Sequence, residues 1–326
     1  GLGNQLFITS FAYALYKKTG SRYNILFDTS FYIDPFKNMS SDKKHEIYLL
    51  DKFNIRSKLD YKDISLPRVA MMSIYYNNNN YSDQYQYNHQ QLNVSSSFFS
   101  EDIFSLTPPK YMCGCFENRH YFDEYKKDIR EMFTLKEPLN QKNEDMLHKI
   151  KNSLNSVCIH IRRGDNIKQS VTGILHSSYF QKAIDTIIEK VSEKGEGEDA
   201  QPSPPSFFVF SDDLDWCKRK LDFRNHPFEF VNINSVQEPY FELELMKNCK
   251  HFIRSQGTFS FWATYLCENE DKIIIQPNLT LYYLDEQQTK EEIEYSQDAF
   301  KVTDCRETIL IETRYLRSNE DKEKDI

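Results

Sequence analysis

The chain has 326 residues, 39% hydrophobic and 14% aromatic, enough for two ordinary domains with sizeable cores. Its formal net charge of −8 argues against a nucleic-acid partner held by a broad basic surface, and no apolar run approaches the roughly 20 residues of a membrane span. Seven scattered cysteines, an odd count, make no disulfide framework and point to a reducing, cytoplasmic setting. No signal peptide is visible, although the chain starts abruptly at Gly1, as if an amino-terminal piece preceded it.

In chain order, Gly1-Leu2-Gly3-Asn4-Gln5 leads into a helix with Leu6, Phe11, Ala14 and Leu15 on one face, stopped at Thr19-Gly20. Tyr23 to Phe27 predicts a strand ending at Asp28. From about 60 to 105 no periodicity stands out. There Tyr75-Tyr76-Asn77-Asn78-Asn79-Asn80-Tyr81 reads as disorder or a surface loop, or alternatively as a sugar-contacting loop extending to Tyr87. Tyr111 to Phe116 predicts a strand, and two helical stretches reach Lys151.

From Ser156 onward, strands and helices alternate. Strands are expected at 156–161, 206–210, 228–231, 251–254 and, as the last, 272–275. Between them lie a helix carrying Phe180, Ile184, Ile187, Ile188 and Val191, a Gly- and Pro-rich linker from Lys194 to Pro205, a helix from Glu238, and a helix from Thr258 to Cys267. The tail after Asp304 is highly charged, and residues 319–326 are expected to fray. Repeated βα units demand a parallel sheet with right-handed crossovers. The fold class is therefore α/β, with domains at 1–152 and 153–326.

Three strand ends in the second half carry polar clusters: Arg162-Arg163-Gly164-Asp165, Ser211-Asp212-Asp213 and Ser255-Gln256-Gly257-Thr258-Phe259-Ser260. Open parallel sheets bind ligands at the carboxyl ends of their strands. Two adjacent guanidiniums suit a diphosphate, because each planar fork pairs with phosphate oxygens two at a time. The alternative is a structural Arg–Asp pair inside a turn. Small and hydroxyl residues where a strand turns into a helix suit a phosphate cradle, or equally an ordinary helix cap. Cations, hydroxyls and carboxylates on one sheet edge together describe a nucleotide site. Asp213-Leu214-Asp215 has the spacing of a manganese-binding Asp-x-Asp, but Trp216 and Lys218 follow at helical spacing, so the pair reads as a helix start and no metal site is expected.

His160-Ile161-Arg162-Arg163-Gly164-Asp165 resembles the His-x-Arg-Arg-Gly-Asp signature of the α1,2-fucosyltransferases, glycosyltransferase family 11. Gly1-Leu2-Gly3-Asn4-Gln5-Leu6-Phe7 is similar to that family's opening motif. Phe210-Ser211-Asp212-Asp213 with Trp216 and Lys218 matches its second, and 245–251 with 258–263 its third. Gly114-Cys115-Phe116-Glu117 with Tyr121-Phe122 resembles a further element. The five lie in order over roughly residues 1 to 285.

The resemblance implies a GT-B arrangement, two Rossmann-like domains facing across a cleft, and inverting transfer of L-fucose from GDP-β-L-fucose to the 2-hydroxyl of a terminal galactose. GDP-fucose is then a donor substrate, with no cofactor and no metal. The partner is a galactose-terminated oligosaccharide, and the setting is cytoplasmic, peripheral at the inner face of a bacterial membrane. By resemblance, Arg162 meets the diphosphate, His160 and Arg163 assist or position it, and Asp165 holds the turn. Asp212 and Asp213 offer carboxylates to base or ribose, and Glu242 stands where the family usually has an aspartate for guanine. Ser255, Thr258, Phe259 and Ser260 frame the nucleotide, and Asn4 and Gln5 approach the donor from the first domain. Phe116, Glu117, Tyr121 and His176 are acceptor-side candidates, with Asp165, Glu117 and His176 open as general base. Two other readings remain: a fucosyltransferase with another acceptor, and a non-catalytic GDP-sugar-binding protein.

Overall fold

Helix α1 (Leu2–Lys18) begins the fold, and Leu6, Phe7, Phe11, Ala12, Ala14 and Leu15 on it are all buried. A helix apolar on all sides is a core helix, so α1 is enclosed rather than laid on a surface. It stops where Thr19 donates its Oγ1 hydrogen to Leu15 O (2.7 Å) and Gly20 takes φ 65°, the left-handed conformation glycine tolerates best. The computed structural model describes residues 1–22, 24–29, 32, 47–64, 73–77, 91–93, 99–107, 110–167, 173–192, 203–278, 297–313, 315–316, 321–322 and 325. The chain divides into two compact units, Gly1–Pro138 with Asp298–Lys301 and Leu139–Gln297 with Val302–Ile326.

In the first unit, strands β1 (Asn24–Asp28), β2 (Tyr61–Ile64), β3 (Ser73–Asn77), β4 (Gln91–Asn93) and β5 (Lys110–Cys113) form one sheet in the order β2-β1-β3-β5-β4. It is a mixed sheet, because β3 runs antiparallel to both β1 and β5. The stretch that shows no periodicity thus supplies three strands, and Tyr75-Tyr76-Asn77 belongs to one rather than to a loop. Strand formation there comes from backbone pairing on both sides of β3, which local composition does not report. Residues 78–90, including the rest of that tract, and the linker core at 193–202 lie outside the described residues. Helix α2 (Lys126–Met132) buries Ile129 and Met132 and closes this unit.

The second unit opens with α3 (Gln141–Asn152), earlier than the boundary after residue 152 drawn from sequence. Asn143 and Asn234 exchange amide hydrogen bonds of 2.8 and 2.9 Å, which tie α3 to the second unit's own chain. The remaining elements are β6 (Ser156–Ile161), β7 (Ile174–Leu175), α4 (Ser177–Ser192), β8 (Ser206–Ser211), α5 (Leu214–Lys220), β9 (Phe228–Phe230), α6 (Pro239–Lys247), β10 (His251–Arg254), α7 (Thr258–Leu266), β11 (Ile273–Pro277), β12 (Glu307–Ile311) and β13 (Tyr315–Leu316). Six of the strands form a sheet in the order β12-β11-β10-β6-β8-β9, and every pair in it is parallel. Counted from β6, that is 3-2-1-4-5-6 read from the β9 edge, the doubly wound Rossmann order. Val157, Ile159 and Ile161 of β6 pack with Phe180, Ile184 and Ile187 of α4 and with Trp216 in its core.

Two expectations for the tail are corrected here. β11 is not the last strand, since β12 adds in register beyond it with Ile311 buried. Nor do all of residues 319–326 fray, for Lys322 and Asp325 are buried against the body of the unit. Both carry a charge that would stay in water unless the fold offered it partners, and it does.

Candidate active site

In the doubly wound order the chain leaves β6 in one direction for β8 and β9, then returns to its other side for β10. The loops at the carboxyl ends of β6 and β10 therefore part, and the crevice between them is where such sheets bind ligands. The two sequence clusters that flank this switch point are Arg162-Arg163-Gly164-Asp165 and Ser255 to Ser260. The strand that delivers the first cluster touches the second: His160 Nδ1 lies 3.1 Å from Ser255 Oγ, and Ser255 N donates to His160 O at 3.0 Å.

Arg162 is part-exposed and donates through Nη2 to both oxygens of Asp165 (3.0 and 2.8 Å). Asp165 thus holds Arg162 in register, while Nε and Nη1 of Arg162 stay uncommitted among the described residues. His160 sits beside it with its pKa lowered to about 3, first by burial and then by the Arg162 charge. It is a neutral imidazole at physiological pH and a poor proton acceptor, suited to positioning.

Arg163 behaves differently from its neighbour. Its side chain is 1% exposed, lies 4.1 Å over the Trp216 ring, and donates Nε to Asp213 (3.2 Å) and Nη1 to Asp325 (3.0 Å). The arginine pair is one half part-exposed and one half interior, so Arg163 does not present its guanidinium at the surface. Stacking on indole and meeting two carboxylates suits a planar guanidinium better than a lysine, although Arg163 Nη2 is buried with no hydrogen-bond partner among the described residues.

The β8 end supplies the supports. Asp212 accepts from the backbone N–H of Arg163 (2.8 Å), and a Cβ on Gly164 would lie 2.6 Å from Asp212 Oδ2. Glycine stands in the turn because that carboxylate approaches its α-carbon. Asp213 caps α5, accepting from Trp216 N at 3.1 Å, while Asp215 is exposed and paired with Lys218. These two carboxylates have the separate partners of a helix start. Glu242 on α6 has its pKa raised to about 7, by burial first and by the Asp212 charge second.

At the β10 end, Gly257 takes φ 119° and α7 starts at Thr258. Ser255 and Ser260 are buried, with Ser260 Oγ donating to Ser255 O (2.8 Å), so Ser260 shapes the turn. Thr258 and Phe259 are part-exposed. Sequence reasoning missed Gln256, whose amide nitrogen and oxygen are both buried with no partner among the described residues. Two such unmet groups cost roughly 1–3 kcal/mol each, which a polar ligand would relieve.

The sequence matches the family model for glycosyl transferase family 11 over residues 1–302. The chain belongs to glycosyl transferase family 11. It is a glycosyltransferase. An Escherichia coli O-antigen biosynthesis glycosyltransferase, WbnK, is 27% identical over 85% of this chain and 91% of its own. An alpha-1,2-colitosyltransferase from the same organism is 30% identical over 50% of this chain and 53% of its own. The galactoside alpha-(1,2)-fucosyltransferase 1 of Plecturocebus brunneus is 28% identical over 45% and 40%, respectively. No solved structure matches.

The first unit of this glycosyltransferase sorts its sequence candidates less kindly. Phe116 is fully buried at φ 52°, stacked on Phe11 with ring centroids 4.0 Å apart, and Tyr121 meets Phe11 edge-on at 5.1 Å. Both rings are core packing and offer no sugar a face. Gln5 is buried as well: its amide donates to Ile47 O (2.7 Å) and accepts from Leu49 N (2.9 Å), strapping that segment to α1. Asn4 stays part-exposed and donates to Cys115 Sγ (3.3 Å). Glu117 is within hydrogen-bonding range of that thiol, and burial raises its pKa. His176 belongs to the second unit, with Nε2 3.7 Å from Asp325. Sequence reasoning also missed His120, whose Nε2 lies 2.5 Å from Asp298, a residue that Arg119 holds as well. That pairing spans 178 positions, so no local pattern could announce it.

None of the seven cysteines is joined in a disulfide, and no described helix is long and apolar enough to cross a membrane.

Proposed function

We propose that this glycosyltransferase moves L-fucose from GDP-β-L-fucose to the 2-hydroxyl of a terminal galactose, with inversion at the anomeric carbon. The observation that carries the reading is His160, two residues before Arg162, meeting Ser255 at the switch point of a parallel doubly wound sheet. The α1,2-linkage and the galactoside acceptor are supported by what the relatives are named for. The diphosphate gains negative charge only as the sugar leaves, so Arg162 stabilises the transition state more than the bound donor. Glu242 accepts from guanine, and Gln256 and Thr258 line the diphosphate side. In a GT-B arrangement the acceptor belongs to the first unit, where, among the described residues, Glu117 and the His120–Asp298 pair are candidates to take a hydroxyl proton. The enzyme works in the cytoplasm at the inner face of a bacterial membrane.

A second donor is favoured by one specific finding, the 30% identity to a colitosyltransferase. Colitose is fucose without its 3-hydroxyl, and the two would share the GDP contacts. Incubating the protein with GDP-fucose or GDP-colitose and a panel of galactosides, then mapping product linkage and anomer by NMR, tests both. Transfer in the α1,2 linkage is expected, unaffected by EDTA because arginine neutralises the leaving group. Arg162→Ala should lower kcat at least about tenfold, the worth of one charge-assisted phosphate contact. Absence of transfer from either donor, or full turnover by that variant, overturns the reading.

A further inference from the structure

The family match ends at residue 302, yet the arginine turn is gripped by residues beyond it. Asp325 is 2% exposed, a costly place for a carboxylate unless it is well paired. One of its oxygens accepts from Arg163 Nη1 (3.0 Å). The other accepts from Ser177 Oγ (2.7 Å) and Ser177 N (3.3 Å), with His176 Nε2 at 3.7 Å. Its main-chain oxygen accepts from Trp216 Nε1 at 2.7 Å, and Trp216 is the ring on which the Arg163 guanidinium rests. One residue therefore fixes both Arg163 and the platform beneath it.

Lys322, also buried, makes a second grip. Its Nζ donates to Asn166 O (3.1 Å) and Ile167 O (3.0 Å), in the turn that follows Asp165. Asp325 and Lys322 thus hold the signature turn at two points, at Arg163 and at Asn166–Ile167. Tyr315–Leu316 adds a third attachment, pairing antiparallel with Ile174–Leu175 immediately before His176.

We propose that Asp325 and Lys322 are positioning residues of the donor site, which clamp Arg163 and the Asn166–Ile167 turn and so aim Arg162 at the donor diphosphate. The inference rests on the reading of this site as a GDP-sugar site. Arg163 is the post and Arg162 the working arm. A carboxylate on the post fixes the arm without touching substrate. Neither clamp residue lies in any motif that marks the family.

Calorimetric GDP binding and steady-state kinetics are compared for the wild type, Asp325→Asn, Asp325→Ala and Lys322→Met, each at a temperature where circular dichroism shows it folded. Asp325→Asn, isosteric and uncharged, should raise the GDP Kd and the donor KM about tenfold and leave the acceptor KM unchanged, the mark of a misplaced donor-side group. A merely structural role would lower Tm without moving either constant in the folded protein. If Asp325→Ala does not fold, Asp325→Asn decides; Lys322→Met, at the other grip, should show the same split on its own. Wild-type GDP affinity in folded Asp325→Asn and Lys322→Met overturns the clamp while the functional reading stands. A wild-type protein that does not bind GDP overturns both.

Discussion

Gly164 and Asp212 show how a short signature is built at the scale of single residues. The glycine is needed for the carboxylate behind it, since a methyl group would sit 2.6 Å from Asp212 Oδ2. That carboxylate in turn holds the Arg163 amide at 2.8 Å. Gly164→Ala must push Asp212 aside and cost that hydrogen bond, about 1.5–3 kcal/mol for one to a charged group. We expect the donor KM to rise and thermal stability to fall, and kinetics with a melting curve checks it; unchanged values for both would mean the turn can absorb a methyl. The neighbouring arginines were legible as a pair but not as a division of labour. Adjacent positions after a strand point in different directions, and only the placement of Trp216, Asp213 and Asp325 decides which guanidinium is buried.

At the scale of elements, five of the six strands in the second unit's large sheet were readable, because buried parallel strands are continuous apolar runs, and α4 keeps its apolar residues at helical spacing. Ile184 lies wholly inside the α4–sheet interface. Ile184→Ala should cost roughly 2–5 kcal/mol, transfer and cavity combined. Urea denaturation measures that loss, and GDP affinity of the folded variant should match the wild type. A loss below about 1 kcal/mol would mean that the interface collapses around the cavity. The first unit was harder. Its strand β3 carries Tyr75-Tyr76-Asn77, whose composition signals a loop; in the second unit, β12 falls in the tail whose charge reads as solvated chain. Both are strands because neighbouring strands offer their backbones, a long-range condition. Phe116 and Tyr121 fell the same way: aromatic residues beside a polar motif suit a sugar or a core equally, and α1 claimed them for the core.

For the whole molecule, two part-buried groups of the site set opposing pH dependences. The folded pKa of His160 is depressed from 6.5 to about 3, so its contribution is present above about 6.5 and lost as pH falls toward about 3. For Glu242 it is raised from 4.5 to about 7, so its contribution is full below about 4.5 and lost as pH rises through about 7. Between those values the two slopes oppose each other. Relative to the wild type, His160→Gln should make stability fall with rising pH across that window, and Glu242→Gln should make it fall with falling pH. Urea midpoints at several pH values test this, and parallel profiles for all three proteins would show that neither group titrates as its burial requires.

What the sequence by itself determined is the chemistry and the class: βα repeats that compel a parallel sheet, and strand ends whose arginines, hydroxyls and carboxylates suit a sugar nucleotide. These are local signals, carried by periodicity and by residue type at a strand's end. Tertiary structure alone decided the strand order, and with it the switch point that brings His160 to Ser255 across 95 positions. It also decided that a charged tail folds back, placing Asp325 on Arg163 from 162 positions away. A buried ion pair depends on who meets whom in three dimensions, and a charge run in one dimension looks like solvated chain until its partner is in place.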